Sequence, residues 1–427
     1  MRIGSMAALV VAVLVGGQLS GQAASAEREK PVTCHGQIAT IVGTPGKDRL
    51  DGTDGPDVIA GLGGNDRIRG LGGDDVICGG KGADTIDGGD GDDQIWAGDN
   101  GRVPLFESDP IAAGDTVTPG PGDDYVNLGF NTIGDGAYEL DHLMFDRAAA
   151  GVTVDLAAGT ATGEGTDTLV VPLPPAGSRA YAVEVQGSSH ADVLLGTDAA
   201  DELIGNGGGD HIEGRGGSDL ILDHWDEGDL VSDDFMLGGP GADAITAGGG
   251  ADVVRGGPGP DTLDDVDGDL DGVGGVHMWG NAGKDRLSVG LELVDGQVVD
   301  GGPGRDTVSF YNFIEGGLAQ RVDGIVDLGA GDTRLSRGGD SWHVALTSTE
   351  VLFLPYKGFW EVLGTDADER VTSFGGKLNA WMGAGDDAMV GTTGKDLLDG
   401  GPGKDRADGG PGKDACPRVE HKTSCES

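Results

Sequence analysis

The chain has 427 residues, 85 of them glycine, with 28 Lys and Arg against 73 Asp and Glu for a net charge of -45. Glycine at about a fifth of the chain, against a usual ~7%, argues against ordinary helical domains, and the acidic balance disfavours nucleic acid and anionic membrane surfaces as partners. Two classes survive: a disordered acidic chain, or a fold whose acids are neutralised by cations. Residue order decides between them.

Arg2 precedes an apolar run from Met6 to Val15, and Ala23-Ala24-Ser25-Ala26 supplies an A-x-A cleavage site. This is the pattern of an export signal over residues 1–26, with a mature chain starting near Glu27. The apolar run is too short to span a bilayer, no second one follows, and no anchor signal ends the chain. A secreted, extracellular protein is expected. Cys34, Cys78, Cys416 and Cys425 then form an even set in an oxidising compartment. Three pairings are open. Coupling Cys34 with Cys78 and Cys416 with Cys425 would staple both ends of an elongated body, and no C-x-x-C or histidine spacing supports zinc instead.

From Gly43 to Trp96 run six uninterrupted nine-residue units: GTPGKDRLD, GTDGPDVIA, GLGGNDRIR, GLGGDDVIC, GGKGADTID and GGDGDDQIW. Each obeys G-x-x-G-x-D-x-U-x, where U is a large aliphatic. Asp48, Asp57, Asp66, Asp75, Asp84 and Asp93 keep step with Leu50, Ile59, Ile68, Ile77, Ile86 and Ile95. An isolated unit surrounds Asp124. The period returns at Asp192, Asp201, Asp210 and Asp219, at Asp243, Asp252 and Asp261, around Asp285 and Asp306, and at Asp387, Asp396, Asp405 and Asp414. Some units are degenerate, with His190 and Ala199 where the fourth-position glycine belongs.

Positions one to six read as a turn whose glycines tolerate positive φ, and positions seven to nine as a short strand with position eight facing inward. Pro45, Pro56, Pro240, Pro258, Pro260, Pro303, Pro402 and Pro411 all fall at turn positions three or five, and all are expected outside strands. Coils stacked about 4.8 Å apart would set the aspartates in a like-charged ladder, each adjacent pair repelling by about 0.9 kcal/mol in water. A hard dication with oxygen ligands reverses that sign; calcium suits a carbonyl cage better than magnesium, which demands octahedral geometry.

These units resemble the calcium-binding repeats of RTX, or haemolysin-type, proteins. The resemblance implies an all-β fold, a right-handed parallel β-roll or β-helix solenoid in which two units make one coil. It also implies Ca2+ between successive turns, held by turn carbonyls and by the sixth-position aspartates named above, so that the six-unit block forms three coils. GVTVDLAAGTATGEGTDTLV from Gly151 and VEVQGSSHADVLLGTDAADELIG from Val183 resemble the longer coils that alternate with such repeats in secreted solenoids, and GIVDLGAGDTRL from Gly324 echoes them. The ending GGPGKDACPRVEHKTSCES resembles the cysteine-closed tail of secreted repeat proteins without a toxin domain.

Weaker signals have plainer readings. DGDLDG opens like an EF-hand at Asp267, Asp269, Asp271 and Gly272, but Met278 stands where Glu belongs, and an extra loop calcium site is the alternative. Neither H-E-x-x-H nor G-x-S-x-G occurs; His224 beside Trp225 and His343 beside Trp342 read as packed or loop residues. The six tryptophans read as caps and core filler rather than a sugar-stacking platform.

The expected organisation is a signal peptide at 1–26, a cap at 27–42, a β-roll at 43–96, an irregular β-helical section at 97–186, repeats at 187–264, a second irregular section at 265–381, and a C-terminal roll with its disulfide-closed cap at 382–427. The expected function is calcium binding that folds and stiffens an extracellular scaffold. Attachment to glycans or a cell surface and a polysaccharide-active enzyme are the alternatives.

Overall fold

The computed structural model describes residues 30–99, 114–129, 140–174, 180–223, 232–266, 275–290, 295–311, 314–315, 318–319, 321–355 and 357–426. The expected export signal, the carboxylates of the loop opened by Asp267, and the pair His224 and Trp225 lie outside these residues. Among the described residues every regular element is a strand.

The nine-residue period builds two parallel sheets, with successive units alternating between them. Leu50 pairs with Ile68, Ile68 with Ile86 and Ile86 with Val117 in one sheet; Ile59 pairs with Ile77, Ile77 with Ile95 and Ile95 with Val126 in the other. Partners in the regular block are therefore two units apart, and two units make one coil. Because side chains alternate along a strand, a single aliphatic at position eight points between the sheets. Ile59, Ile68, Ile77, Ile86 and Ile95 are at most 1% exposed, and the column continues through Val117, Leu143, Leu194, Leu203, Ile212, Met236, Leu263 and Leu287 to Leu398. The chain folds as an all-β, parallel solenoid.

The first sheet stacks from Arg49–Asp51 to His421–Thr423 without an antiparallel pair. The second sheet departs from the expected purely parallel stacking at two places. Thr153–Asp155, Thr160–Thr162 and Thr166–Val170 form an antiparallel meander, as do Asp323–Asp327, Asp332–Arg337 and Asp340–Thr347. Both first turns are built alike. Asp155 Oδ1 accepts the N–H of Ala158 at 3.0 Å before Gly159 at φ +69°, and Asp327 Oδ1 accepts that of Ala330 at 2.9 Å before Gly331 at φ +66°. An Asx-type loop closed by glycine reverses the chain within the sheet, which explains the shared VDLxAG of the two longer coils.

Several strands also outrun the three residues expected. Arg67–Gly72, Val76–Lys81, Thr85–Asp90 and Gln94–Asp99 continue into positions one to three of the next unit, where the stacked coil supplies partners such as Gly89 for Leu71 and Gly98 for Gly80. Pro258 therefore lies not in a turn but at the end of strand Val253–Pro258, opposite Ala282. A strand end tolerates its missing N–H.

Cys34 is bonded to Cys78 and Cys416 to Cys425. The first ties the hairpin Thr33–Cys34/Gln37–Ile38 to the side of the solenoid, where His35 packs edge-on to Trp96 with ring centroids 3.8 Å apart. At the other end His421–Thr423 pairs in parallel with Arg406–Asp408, so the tail extends the stack. Trp360 is fully buried, and a Cβ on Gly324 would lie 2.2 Å from its ring.

Candidate metal centres

Position six precedes the strand, so its side chain turns inward at the edge of the aliphatic column. There Oδ1 accepts the backbone N–H of the acidic residue one coil earlier. Asp48 donates to Asp66, Asp66 to Asp84, Asp57 to Asp75 and Asp75 to Asp93, each at 2.8 Å. The same bond joins Asp192 to Asp210 at 2.8 Å, Asp201 to Asp219 and Asp243 to Asp261 at 2.9 Å, Asp387 to Asp405 at 3.0 Å, and Asp396 to Asp414 at 2.9 Å. Asp124, Asp252, Asp285 and Asp306 accept from Asp93, Asp234, Asp261 and Asp285 in the same way. Two rows of carboxylates thus run along the solenoid, one per sheet.

The second oxygen is the informative one. Oδ2 of Asp66, Asp75, Asp84, Asp93, Asp124, Asp210, Asp219, Asp243, Asp252, Asp261, Asp285, Asp306, Asp387, Asp405 and Asp414 is buried and accepts no hydrogen bond. A buried carboxylate oxygen without a donor costs of the order of 1–3 kcal/mol or more. Where position one is glycine, Oδ2 faces the small space that the missing Cβ leaves open. A Cβ on Gly61 would lie 2.7 Å from Asp66 Oδ2 and 2.4 Å from the Gly79 carbonyl of the next coil; on Gly79, 2.5 Å from Asp84 Oδ2 and 2.4 Å from the Ala97 carbonyl. Carboxylate and carbonyl oxygens converging on one gap form a donor set for a hard cation.

The electrostatics agree. Burial, opposed by the coil-to-coil hydrogen bond, pushes Asp84 and Asp93 up to about 7 and Asp124, Asp210, Asp219 and Asp252 up to about 8. A dication in the gap would hold these groups ionised.

The rows contain more acids than the nine-residue search found. Asp115 accepts from Asp84 at 2.7 Å, Asp141 from Asp115 at 2.8 Å, Asp167 from Asp124 at 3.1 Å and Asp234 from Asp210 at 2.7 Å. Glu350 accepts from Asp306 and Glu420 from Asp405, both at 2.7 Å, and Glu369 donates to Asp387 at 2.9 Å. Most retain an aliphatic two residues on, as in Asp115-Thr-Val117 and Asp234-Phe-Met236. That remnant was the available signal; the full G-x-x-G spacing before the acid is absent. A further acid, Asp223, occupies position one itself. It is 2% exposed, and a carboxylate oxygen of each of Asp210, Asp223 and Asp234 falls within 4.8 Å of the others. His343 is exposed, with Nδ1 3.3 Å from Asp332 Oδ1, and sits in no such cluster.

Stacked turns that present buried, donorless carboxylates to carbonyl oxygens define a calcium-binding solenoid. The family described as RTX calcium-binding nonapeptide repeat (4 copies) matches residues 42–77, 70–100, 186–221, 232–263 and 382–415. This chain is an RTX-type calcium-binding nonapeptide-repeat protein. The comparison with curated proteins finds no match. Among the described residues no helix is long and apolar enough to cross a membrane.

Proposed function

We propose that the sixth-position aspartates hold calcium ions between stacked turns, and that this binding folds an exported chain into a stiff extracellular scaffold. The observation that carries the reading is the series of buried Oδ2 atoms, from Asp66 to Asp414, that accept no hydrogen bond. One aliphatic column cannot offset the ordering of long glycine-rich turns, so ion binding supplies folding free energy. Extracellular calcium modules have dissociation constants around 0.1–1 mM. An affinity in that range keeps the chain unfolded inside the cell and folds it outside. Calorimetric titration of the protein from residue 27 onward tests this: several ions bound with sub-millimolar to millimolar affinity support it, and micromolar or tighter binding removes the export argument.

A second reading, attachment to acidic glycans, is favoured by one feature. In a chain of net charge -45, a cavity of about 590 Å³ is lined by Arg321, Lys357, Phe359 and Lys377, with Lys377 Nζ 4.8 Å from the Phe359 ring centroid. Cations beside an aromatic face suit a uronate or sulfated sugar. Retention on an acidic polysaccharide without product release, lost in Lys377→Glu, supports attachment; product release supports an enzyme instead.

A further inference from the structure

Position two divides the turns into two kinds. In the open turns it is Leu62, Leu71, Gly80, Gly89, Asn206, Arg215, Gly239, Gly257, Asn281 or Gly401, each with φ between +66° and +118°. The aspartate four residues on then has a donorless Oδ2. In five further turns position two is Thr44, Thr53, Ser188, Thr197 or Thr392, and none has positive φ. Threonine, being β-branched, resists the left-handed region, Ser188 also stays out of it, and in all five the peptide turns its N–H toward the carboxylate. Thr44, Thr53, Ser188, Thr197 and Thr392 donate their backbone N–H to Oδ2 of Asp48, Asp57, Asp192, Asp201 and Asp396 at 2.5, 2.8, 2.5, 2.6 and 2.6 Å.

The hydroxyl adds a second donor. Thr44, Thr53, Thr197 and Thr392 Oγ1 reach the same Oδ2 at 2.8, 2.9, 2.9 and 3.1 Å, and Ser188 Oγ reaches Asp192 Oδ1 at 3.0 Å. Each hydroxyl oxygen also accepts the N–H two residues on, from Gly46, Gly55, His190, Ala199 and Gly394. The other oxygen is held as well in three of these turns. Asp57 Oδ1 accepts Thr40 Oγ1, Asp192 Oδ1 accepts the Val152 N–H, and Asp396 Oδ1 accepts the Leu378 N–H. In the turn of Thr197 only Oδ2 is held, and Asp201 Oδ1 stays without a donor. Gly248 marks which variable matters. It lacks positive φ, yet Asp252 four residues on still has a donorless Oδ2. The hydroxyl, not the sign of φ alone, closes the turn.

We propose that a hydroxyl at position two replaces the cation, so that the turns Gly43–Asp48, Gly52–Asp57, Gly187–Asp192, Gly196–Asp201 and Gly391–Asp396 take no calcium and the ions occupy the open turns. Two charge-assisted hydrogen bonds to one carboxylate do locally what the ion does elsewhere. The placement has a use. Thr44 and Thr53 begin the first run of repeats, and Ser188 and Thr197 begin the second. Each run therefore starts on turns whose Oδ2 is held without metal, giving the ion-dependent coils a formed surface on which to stack.

This inference rests on calcium binding by the open turns, and its test separates the two. Calcium bound per chain at saturation is measured on the full disulfide-bonded protein by native mass spectrometry, with folding checked by circular dichroism. Leu71→Thr writes a hydroxyl into an open turn at a 40%-exposed side chain, and it is expected to bind one ion fewer than wild type. Thr392→Gly restores G-G-x-G-x-D beside the Gly409 carbonyl, 2.7 Å from a Cβ on Gly391, and it is expected to bind one ion more. Wild-type protein that binds no calcium sinks the proposed function itself. Wild type that binds calcium, with an unchanged count in Thr392→Gly or in a folded Leu71→Thr, overturns the division of turns alone.

Discussion

Oδ1 of Asp75 accepts the backbone N–H of Asp57 at 2.8 Å, one coil away, while its Oδ2 accepts nothing. One oxygen therefore serves the stacking of coils and the other is left for a cation. Asp75→Asn keeps an acceptor and loses the charge; Asp75→Ala loses both. In saturating calcium, urea unfolding should find both variants less stable than wild type, and Asp75→Ala lower than Asp75→Asn by about 1–3 kcal/mol. Equal stability of the two variants would detach the hydrogen bond from the role given to it.

Without calcium the ladder should respond to acid in the direction opposite to most proteins. An aspartate that titrates near 3.9 when unfolded, and at about 7 to 8 when folded, as for Asp84, Asp124, Asp210 and Asp252, takes up a proton on folding across that window. Stability then falls as pH rises through it. In chelator the chain should gain β structure as pH is lowered from 8 toward 4, followed by circular dichroism. With calcium the sign reverses, because protons compete for the same oxygens, and the calcium concentration for half-folding should rise as pH falls.

Gly70, at position one, should differ sharply from Gly55. A Cβ on Gly70 would stand 2.2 Å from both Asp75 Oδ2 and the Gly88 carbonyl, whereas one on Gly55 meets nothing within 4 Å. Gly70→Ala should lose an ion and several degrees of melting temperature in calcium. Gly55→Ala should stay within about 0.5 kcal/mol of wild type.

The Cys34–Cys78 bond closes 44 residues and the Cys416–Cys425 bond 9. Chain entropy alone assigns the first about 4 kcal/mol and the second about 2.6 kcal/mol. Cys34→Ser with Cys78→Ser should therefore raise the calcium requirement of the N-terminal coils more than the C-terminal pair raises that of the tail. Hydrogen exchange resolved along the chain measures both.

The regular repeats were legible because position six and position eight do separate jobs at a fixed distance, and Asp57 with Ile59 or Asp405 with Ala407 falls where that spacing puts it. What the spacing could not show was continuity. Asp115 and Asp234 stand one nine-residue step before Asp124 and Asp243, but Asp141 and Asp167 join the same rows through lengthened coils that no nine-residue step reaches. Their acid and following aliphatic survive, but the full G-x-x-G spacing before the acid does not, although Gly163 and Gly165 remain before Asp167. The meanders at Thr153–Val170 and Asp323–Thr347 were missed as antiparallel for a related reason. Alternation along a strand is the same in either direction, and only the Asx loops before Gly159 and Gly331 reveal the reversal. Asp223 carries no repeat signal of its own, and its burial comes from coils stacked on it from elsewhere in the chain.

The most direct measurement is the circular dichroism and hydrodynamic radius of the disulfide-intact protein at pH 7.5, before and after every divalent ion is chelated. If cations bridge the buried carboxylates, stripping them should expand the chain and abolish most β signal, and millimolar calcium should restore both. A protein that stays equally compact and β-rich in chelator would contradict it.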